Sequence, residues 1–373
     1  MPLNFTLFSN NNNHKHPKKD EYLLNCTSSN MNITCPANYP PTTFDSTSNQ
    51  TCPEYFRWIH EDMKTWKNQG ITKEMVERLK KTAHFRLVIV NGTAYVKQYT
   101  KAYQTRDDFT LWGILQLIKL YPGRLPDLDL MFQCHDKPSI KRKYYQGWRA
   151  VFGHPQPPPQ FHYCGDDSTF DIVFPDWSFW GWPEVNVKPW VPLEKDLKEG
   201  NAMKNWTSRK SIGSRNQEKG LRTQICQSNH YWPINDKRLC KSIKFAVEWG
   251  NNNGDKAQEI GKAGSRFIFE QIKMENVYDY MFHVLNEYGK LLQYTPTVPE
   301  GATALCSERF ACSPMGLQTT YKIETMVDGP SKRGPCDLPP PYDSLTVQYL
   351  RDQNEKIKEQ VKTWEQPNTW FNW

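Results

Sequence analysis

Hydrophobic positions recur in two rhythms along this chain, and the rhythm changes where the elements change. Tyr55, Phe56, Ile59, Met63 and Trp66 fall at helical spacing, and Thr72 then offers a capping hydroxyl to a second helix running to Ala83. The runs Phe85 to Val90 and Ala94 to Tyr99 flank Asn91-Gly92, a pair suited to the left-handed positions of a tight turn, so a β-hairpin is predicted. Asp107 and Asp108 open a helix whose apolar face is Phe109, Leu111, Trp112, Leu115, Ile118 and Leu120. The turn from Pro122 to Asp127 leads into a buried strand, Leu128 to Cys134, which ends in His135-Asp136-Lys137-Pro138. A helix feeding a strand with polar residues at its carboxyl end is the α/β pattern, and ligands of such sheets sit outside those carboxyl ends.

Further on, a Pro-rich loop (Pro155 to Pro159) precedes an aromatic strand around Phe161 to Cys164 and a second strand within Phe170 to Pro175. Three Trp are then packed between Trp177 and Trp182. From Gly200 to Asn229 the chain is rich in Asn, Arg, Lys, Gln, Ser and Gly and carries no strand-like run. Ile243 to Trp249 predicts a strand, and two helices follow, Asp255 to Lys273 and Val277 to Tyr294. After Pro296 the pattern is loop-rich apart from a polar helix, Leu345 to Trp364. Before Pro53, Asn runs and Pro pairs predict a disordered, stalk-like leader.

Length and composition add constraints. At roughly 150 residues per domain, a chain of 373 residues predicts two domains. Aromatic residues make up 13% of it, with 14 Trp, which suggests surfaces for stacking as well as core. The net charge of +7 is mild; the densest basic stretch, Lys137 to Arg149, is interleaved with aromatics, but no nucleic-acid-binding motif accompanies it, so no nucleic-acid partner is expected. No apolar run is long enough for a membrane span, and the N-terminus lacks the apolar region of a signal peptide. Ten cysteines include no C-x-x-C pair, and His14 and His16 have no partner ligands nearby, so no metal is expected. Cys26, Cys35 and Cys52, and again Cys306, Cys312 and Cys336, lie in irregular flanks where disulfides fit an oxidising lumen. Sequons at Asn4, Asn25, Asn32, Asn49, Asn91 and Asn205 agree with a secretory route. The expectation is then a sequence incomplete at its N-terminus, since no signal or anchor precedes it.

Asp136 is the leading candidate for chemistry, because a general base of an open α/β sheet stands just past a buried strand. A turn-forming Asp before Lys137-Pro138 accounts for the same pattern. His135 can tune that carboxylate or contact an acceptor, or be a surface residue. The Trp177 to Trp182 cluster suits stacking on a sugar or a peptide and equally suits a core. Glu184 can bind a hydroxyl or solvate its loop. Gly213-Ser214-Arg215 and Gly261 to Gly264 match neither a Rossmann nor a Walker pattern, and no G-x-S-x-G or Cys/His protease signature occurs.

Taken in order, Gly123-Arg-Leu-Pro-Asp127, Asp136-x-Pro138 and Phe174-Pro-Asp-Trp-Ser-Phe-Trp180 resemble the Rumi-type protein O-glucosyltransferases of glycosyltransferase family 90, which includes the capsule-associated proteins. Cys52 to His60, Thr110 to Leu115, Leu128 to Phe132, Ser242 to Ala246, Gly264 to Ile268 and Tyr278 to Tyr288 are similar to its plant branch. The resemblance implies an α/β fold of two Rossmann-like halves, of GT-B type, with a nucleotide-sugar cleft between them. It implies transfer of glucose or xylose from UDP-glucose or UDP-xylose to a protein or glycan hydroxyl, with inversion, without metal or other cofactor, in the endoplasmic reticulum or Golgi lumen. Asp136 falls on the family's base. Arg106 and His135 fall where the family contacts its acceptor, and Trp180, Glu184 and Trp190 where it lines the cleft on that side.

The chain departs from the family after Lys198 to Asn201. Asn205-Trp206 still follows the pattern and His230 to Pro233 rejoins it, but the residues between match poorly. Ser214 and Arg215 are the remaining donor-binding candidates, with Ile212 standing where a basic residue belongs. Residues 230 to 296 hold only one or two βαβ units' worth at roughly 30 residues each, whereas a nucleotide-binding half needs about five strands, so on the order of 100 residues are missing. The expected organisation is a lumenal stalk (1–52), an acceptor-side α/β domain (53–200), an irregular junction (201–229), a remnant of the donor-side domain (230–296) and a loop-rich extension (297–373). Two functions fit that organisation: a UDP-sugar-dependent O-glycosyltransferase, or an inactive, truncated relative that at most binds an acceptor.

Overall fold

A computed structural model describes residues 50–146, 155–202, 232–312 and 316–366. The expected stalk, apart from its last residues, and the junction with Ser214 and Arg215 lie outside them. All six strands found among the described residues form one sheet, in the order β5-β4-β3-β1-β2-β6. The strands are β1 (Phe85–Val90), β2 (Thr93–Gln98), β3 (Leu128–Phe132), β4 (Gln160–His162), β5 (Ile172–Val173) and β6 (Thr303–Leu305). β1 and β2 form the predicted hairpin, with Val90 opposite Thr93; Asn91 (φ 49°) and Gly92 (φ 74°) take the two left-handed positions that the turn demands. β3 runs antiparallel to β1, while β4 and β5 run parallel to β3.

The helices are α1 (Trp58–Met63), α2 (Lys73–Glu77), α3 (Arg106–Leu120), α4 (Trp190–Ala202), α5 (Leu239–Asn252), α6 (Gly254–Gln271), α7 (Met274–Gly289), α8 (Ser307–Ala311), α9 (Leu317–Glu324) and α10 (Ser344–Trp364). Thr72 caps α2 through its side chain, which accepts from the Met75 backbone at 3.4 Å. α7, predicted from its apolar period, is buried along most of its length. It packs into the same core as the sheet: Tyr288 donates to the Asp129 carbonyl of β3 (2.8 Å), and the Tyr280 ring meets Phe56 edge-on at 5.2 Å. Inside the sheet, Arg86 of β1 grips Asp129 of β3 through two bonds of 2.6 Å, and Glu77 and Tyr294 complete the network. Registry between β1 and β3 puts these two residues within reach of each other, since Arg86 faces Met131 and Val88 faces Asp129.

One sequence expectation needs correction. Ile243 to Trp249 is not a strand but the middle of α5. Its alternation also satisfies a helical period, since Ile243, Ala246, Val247 and Gly250 share one face, and Lys244 reaches Glu248 one turn on at 3.7 Å. Residues 232–296 therefore supply helices and no strand to the sheet. The C-terminal extension is loop-rich around short elements ahead of α10 and is tied to the core at several points. β6 pairs with β2, Cys336 is disulfide-bonded to Cys52, and Arg333 and the Cys336 amide both reach the buried carboxylate of Asp279 on α7. No helix among the described residues is long and apolar enough to cross a membrane.

Candidate active site

The strand register decides what gathers at one end of the sheet. β1 enters where β3 leaves, because Phe85 is opposite Phe132, so His84 lies beside the end of β3. β4 leaves alongside β3, with Phe161 beside Phe132, which brings His162 to the same end. Ladder pairing of β3 stops at Gln133, whose amide donates to the Phe161 carbonyl at 3.0 Å. From there side chains take over the segment Cys134 to Asp136. The Cys134 amide donates to Nδ1 of His84 (2.9 Å), and its carbonyl accepts from Nη1 of Arg106 (3.0 Å). The same Nη1 donates to Oδ1 of Asp136 (3.0 Å), and the thiol of Cys164 donates to the Asp136 carbonyl (3.2 Å). Beyond the segment, the carboxylate of Asp171 accepts from the amides of Ser139 and Ile140, which fixes the turn after Lys137-Pro138.

Arg106 is the first residue of α3 and points back into the fold, 5% exposed, with its guanidinium 4.6 Å from the ring of buried Trp177 and 5.4 Å from Tyr103. Asp136 is different: 47% of its side chain is open to solvent. A buried cation thus orients a carboxylate that faces outward, past the carboxyl end of a buried strand. His135 is exposed and meets the buried ring of His84 edge-on at 4.6 Å. Burial holds His84 below the usual histidine range, as do the neighbouring His135 and Arg106, against the opposing charge of Asp107. Burial likewise pushes His162 down to about 4, again with His135 adding to it, and raises the carboxyl of Asp171 despite the hydrogen bonds it accepts.

The remaining sequence candidates separate. Glu184 is exposed and accepts from the Thr105 hydroxyl at 3.0 Å, so it stands on the flank of the Arg106 turn. That turn carries a left-handed non-glycine residue, Gln104 (φ 60°), whose side chain accepts from Nε1 of Trp182 at 2.9 Å. Trp190 begins α4 and donates to the Ile272 carbonyl (2.7 Å), with its ring against Phe179. Trp180 is core: it is fully buried, donates to the hydroxyl of Tyr278 at 2.9 Å, and lies so close to α3 that only Gly113 leaves room for its ring. It presents no surface to an acceptor. His84, His162, Cys164 and Asp171 were not singled out by the sequence. Their positions are set by strand register and loop closure, and no local pattern marks them.

The one cluster of potential metal ligands among the described residues is Cys52, His283 and Cys336, and its two sulfurs are bonded to each other. The exposed sequon at Asn91 occupies the hairpin tip, at the end of the sheet opposite Asp136.

Comparison with known sequences then assigns the chain. The profile described as "Glycosyl transferase family 90" matches residues 47–215 and 218–365. The chain belongs to glycosyltransferase family 90. Its relatives include the O-glucosyltransferase rumi of Drosophila melanogaster, 22% identical over 356 residues, covering 69% of this chain and 82% of that protein. Protein O-glucosyltransferase 1 of Homo sapiens is also 22% identical over 356 residues, covering 69% of this chain and 85% of the relative. The O-glucosyltransferase rumi homolog of Anopheles gambiae is 28% identical over 135 residues, or 35% of this chain and 29% of that protein. The two long alignments carry a further fact. The covered 69% of 373 residues is about 257 residues, yet each alignment spans 356 positions, so about 100 positions of each relative face no residue here.

Proposed function

We propose that this family 90 glycosyltransferase moves glucose or xylose from a UDP-sugar onto a hydroxyl of a protein or glycan, with Asp136 as the general base. In that reaction the carboxylate of Asp136 takes the proton of the acceptor hydroxyl while its oxygen bonds to the anomeric carbon and UDP departs with the bonding pair, inverting the centre. The observation that carries the reading is the asymmetry of the Arg106–Asp136 pair. Arg106 is buried and bonds through Nη1 to both the Cys134 carbonyl and Asp136, whereas Asp136 is held by it yet faces solvent. In this reading His135, next to the carboxylate in the chain, and Glu184, bonded to Thr105 beside Arg106, serve the acceptor together with Trp190, while Trp180 supports from the core. The Cys52–Cys336 disulfide and the exposed Asn91 sequon support a lumenal compartment, the endoplasmic reticulum or Golgi.

The family match breaks between Arg215 and Glu218, and about 100 positions of the relatives have no counterpart. We infer that the gap falls at this break and removes much of the donor side, leaving Ser214 and Arg215 as what remains of it and the Rossmann-like second half incomplete. This favours a second reading, in which the chain retains an acceptor surface and has lost transfer. Purified chain incubated with UDP-glucose and UDP-xylose separates the two. Hydrolysis or transfer that disappears in Asp136→Asn supports the first; a folded chain whose melting temperature does not rise with UDP, and which cleaves neither donor, supports the second.

A further inference from the structure

The segment Cys134 to Asp136 has left the sheet, and side chains hold the Cys134 amide and the carbonyls of Cys134 and Asp136. One of these contacts differs from the others, because its acceptor can be destroyed by a proton. Nδ1 of His84 receives the Cys134 amide proton at 2.9 Å in a buried setting. An imidazole that accepts at Nδ1 carries its hydrogen on Nε2 and is neutral. Protonation would place an N–H at Nδ1 facing the Cys134 N–H, two donors with no acceptor between them, in a site with little access to water. The imidazole cannot charge and keep the bond.

We propose that His84 is a positioning residue for Asp136 that works only as the neutral imidazole, and that its protonation releases the Cys134 to Asp136 segment. The inference rests on the reading of Asp136 as the base. The groups that face His84 are His135 from the segment after β3, Arg106 and Asp107 from the first turn of α3, and His162 from the end of β4. Burial, His135 and Arg106 all oppose a charge on His84, while Asp107 favours one. The bond therefore outlasts the pH at which an ordinary histidine charges, about 6.5, and fails below it. His162 repeats the arrangement on the next strand: its Nδ1 accepts the Cys164 amide at 3.2 Å, and the Cys164 thiol in turn holds the Asp136 carbonyl.

The experiment uses the full chain labelled with ¹⁵N at histidine and cysteine, its rings observed by long-range and its amides by one-bond ¹H–¹⁵N NMR between pH 8 and pH 4. The expected result is His84 as the Nε2–H tautomer, neutral at pH 7, with a midpoint below the ordinary histidine value and the Cys134 amide resonance moving at that same midpoint. A protonated Nδ1 at neutral pH, or a ring that titrates while the Cys134 amide stays still, would overturn the proposal. In parallel, transfer from UDP-glucose and UDP-xylose is followed against pH. His84→Ala loses roughly tenfold to a hundredfold in kcat with little change in donor KM, as expected when a reacting group is misplaced. His84→Asn, whose side-chain oxygen stands in for Nδ1, recovers part of that loss and removes the acid-dependent fall contributed by His84. An acid limb identical in wild type and His84→Asn would also refute it. A wild-type chain that transfers at no pH defeats the reading of Asp136, while the tautomer and the amide titration still decide whether His84 pins the segment.

Discussion

Replacing Arg106 by Met, set against replacing Asp136 by Asn, tests whether this ion pair is built for stability or for chemistry. Arg106 makes a charge-assisted bond to the Cys134 carbonyl in a buried site, a contact worth about 1.5–3 kcal/mol. Its guanidinium also lies 4.6 Å from the ring of Trp177, which is 2% exposed, and a desolvated cation–π contact contributes about 2 kcal/mol. Met retains most of the aliphatic packing, so the expected loss is about 3–5 kcal/mol. Asp136 contributes differently. With 47% of its side chain exposed, its share of the pair is that of a surface ion pair, below about 1 kcal/mol. At roughly 2–4 °C per kcal/mol, Arg106→Met should lower the melting temperature by about 6–20 °C and Asp136→Asn by less than about 4 °C. Arg106→Lys keeps the charge but loses the planar fork and should fall between. Thermal melts followed by far-UV circular dichroism read the difference. An Asp136→Asn variant as unstable as Arg106→Met would mean that the carboxylate serves the fold, and the argument for a functional Asp136 would fail.

Two further outcomes follow from buried charge elsewhere. Asp129→Asn leaves Arg86 without its bidentate partner inside the sheet and should cost about 3–5 kcal/mol in urea unfolding, while the double variant Arg86→Met, Asp129→Leu recovers most of it, because breaking a buried pair is worse than removing it. His162, held down to about 4, contributes stability at neutral pH, where it is uncharged in both states. As the pH falls below the unfolded value of about 6.5 the unfolded chain gains the proton first, so about 3 kcal/mol is lost between there and pH 4. Urea midpoints measured across that window should fall less steeply for His162→Asn, and equal slopes would show that the ring is not shielded as described.

How far the sequence discloses this arrangement depends on the range of the interaction. The β1–β2 hairpin, α3, β3 and α7 are legible because each is set by its own period and its own turn residues, above all Asn91-Gly92. Ile243 to Trp249 is misread because a short apolar run fits both periods, and only its packing settles which one is used. β6 is three residues long and exists because β2 offers it an edge; nothing within Thr303 to Leu305 announces it. At the site, the place of Asp136 follows from the end of a predicted strand. The identity of its holder does not, since Arg106 is thirty residues earlier and is brought there by the packing of α3. The Trp177 to Trp182 cluster offers surface and core in the same letters, and the fold uses Trp180 for the core. His84 is invisible for the same reason that it matters: two strand ends fifty residues apart must meet before its ring has an amide to accept, whereas His162 accepts from Cys164 two residues on and reaches the site only because β4 lies beside β3.

Transfer assayed together with UDP binding, on wild-type chain and Asp136→Asn, tests the central claim most directly. UDP binding is followed by isothermal titration, and transfer from UDP-glucose and UDP-xylose by release of UDP in the presence of a secreted-protein acceptor mixture. The account predicts that wild type binds UDP and releases it from at least one donor, and that Asp136→Asn binds UDP unchanged while its turnover falls by at least a hundredfold. Turnover that survives in Asp136→Asn, or UDP binding that is lost along with it, would contradict the role given to this carboxylate.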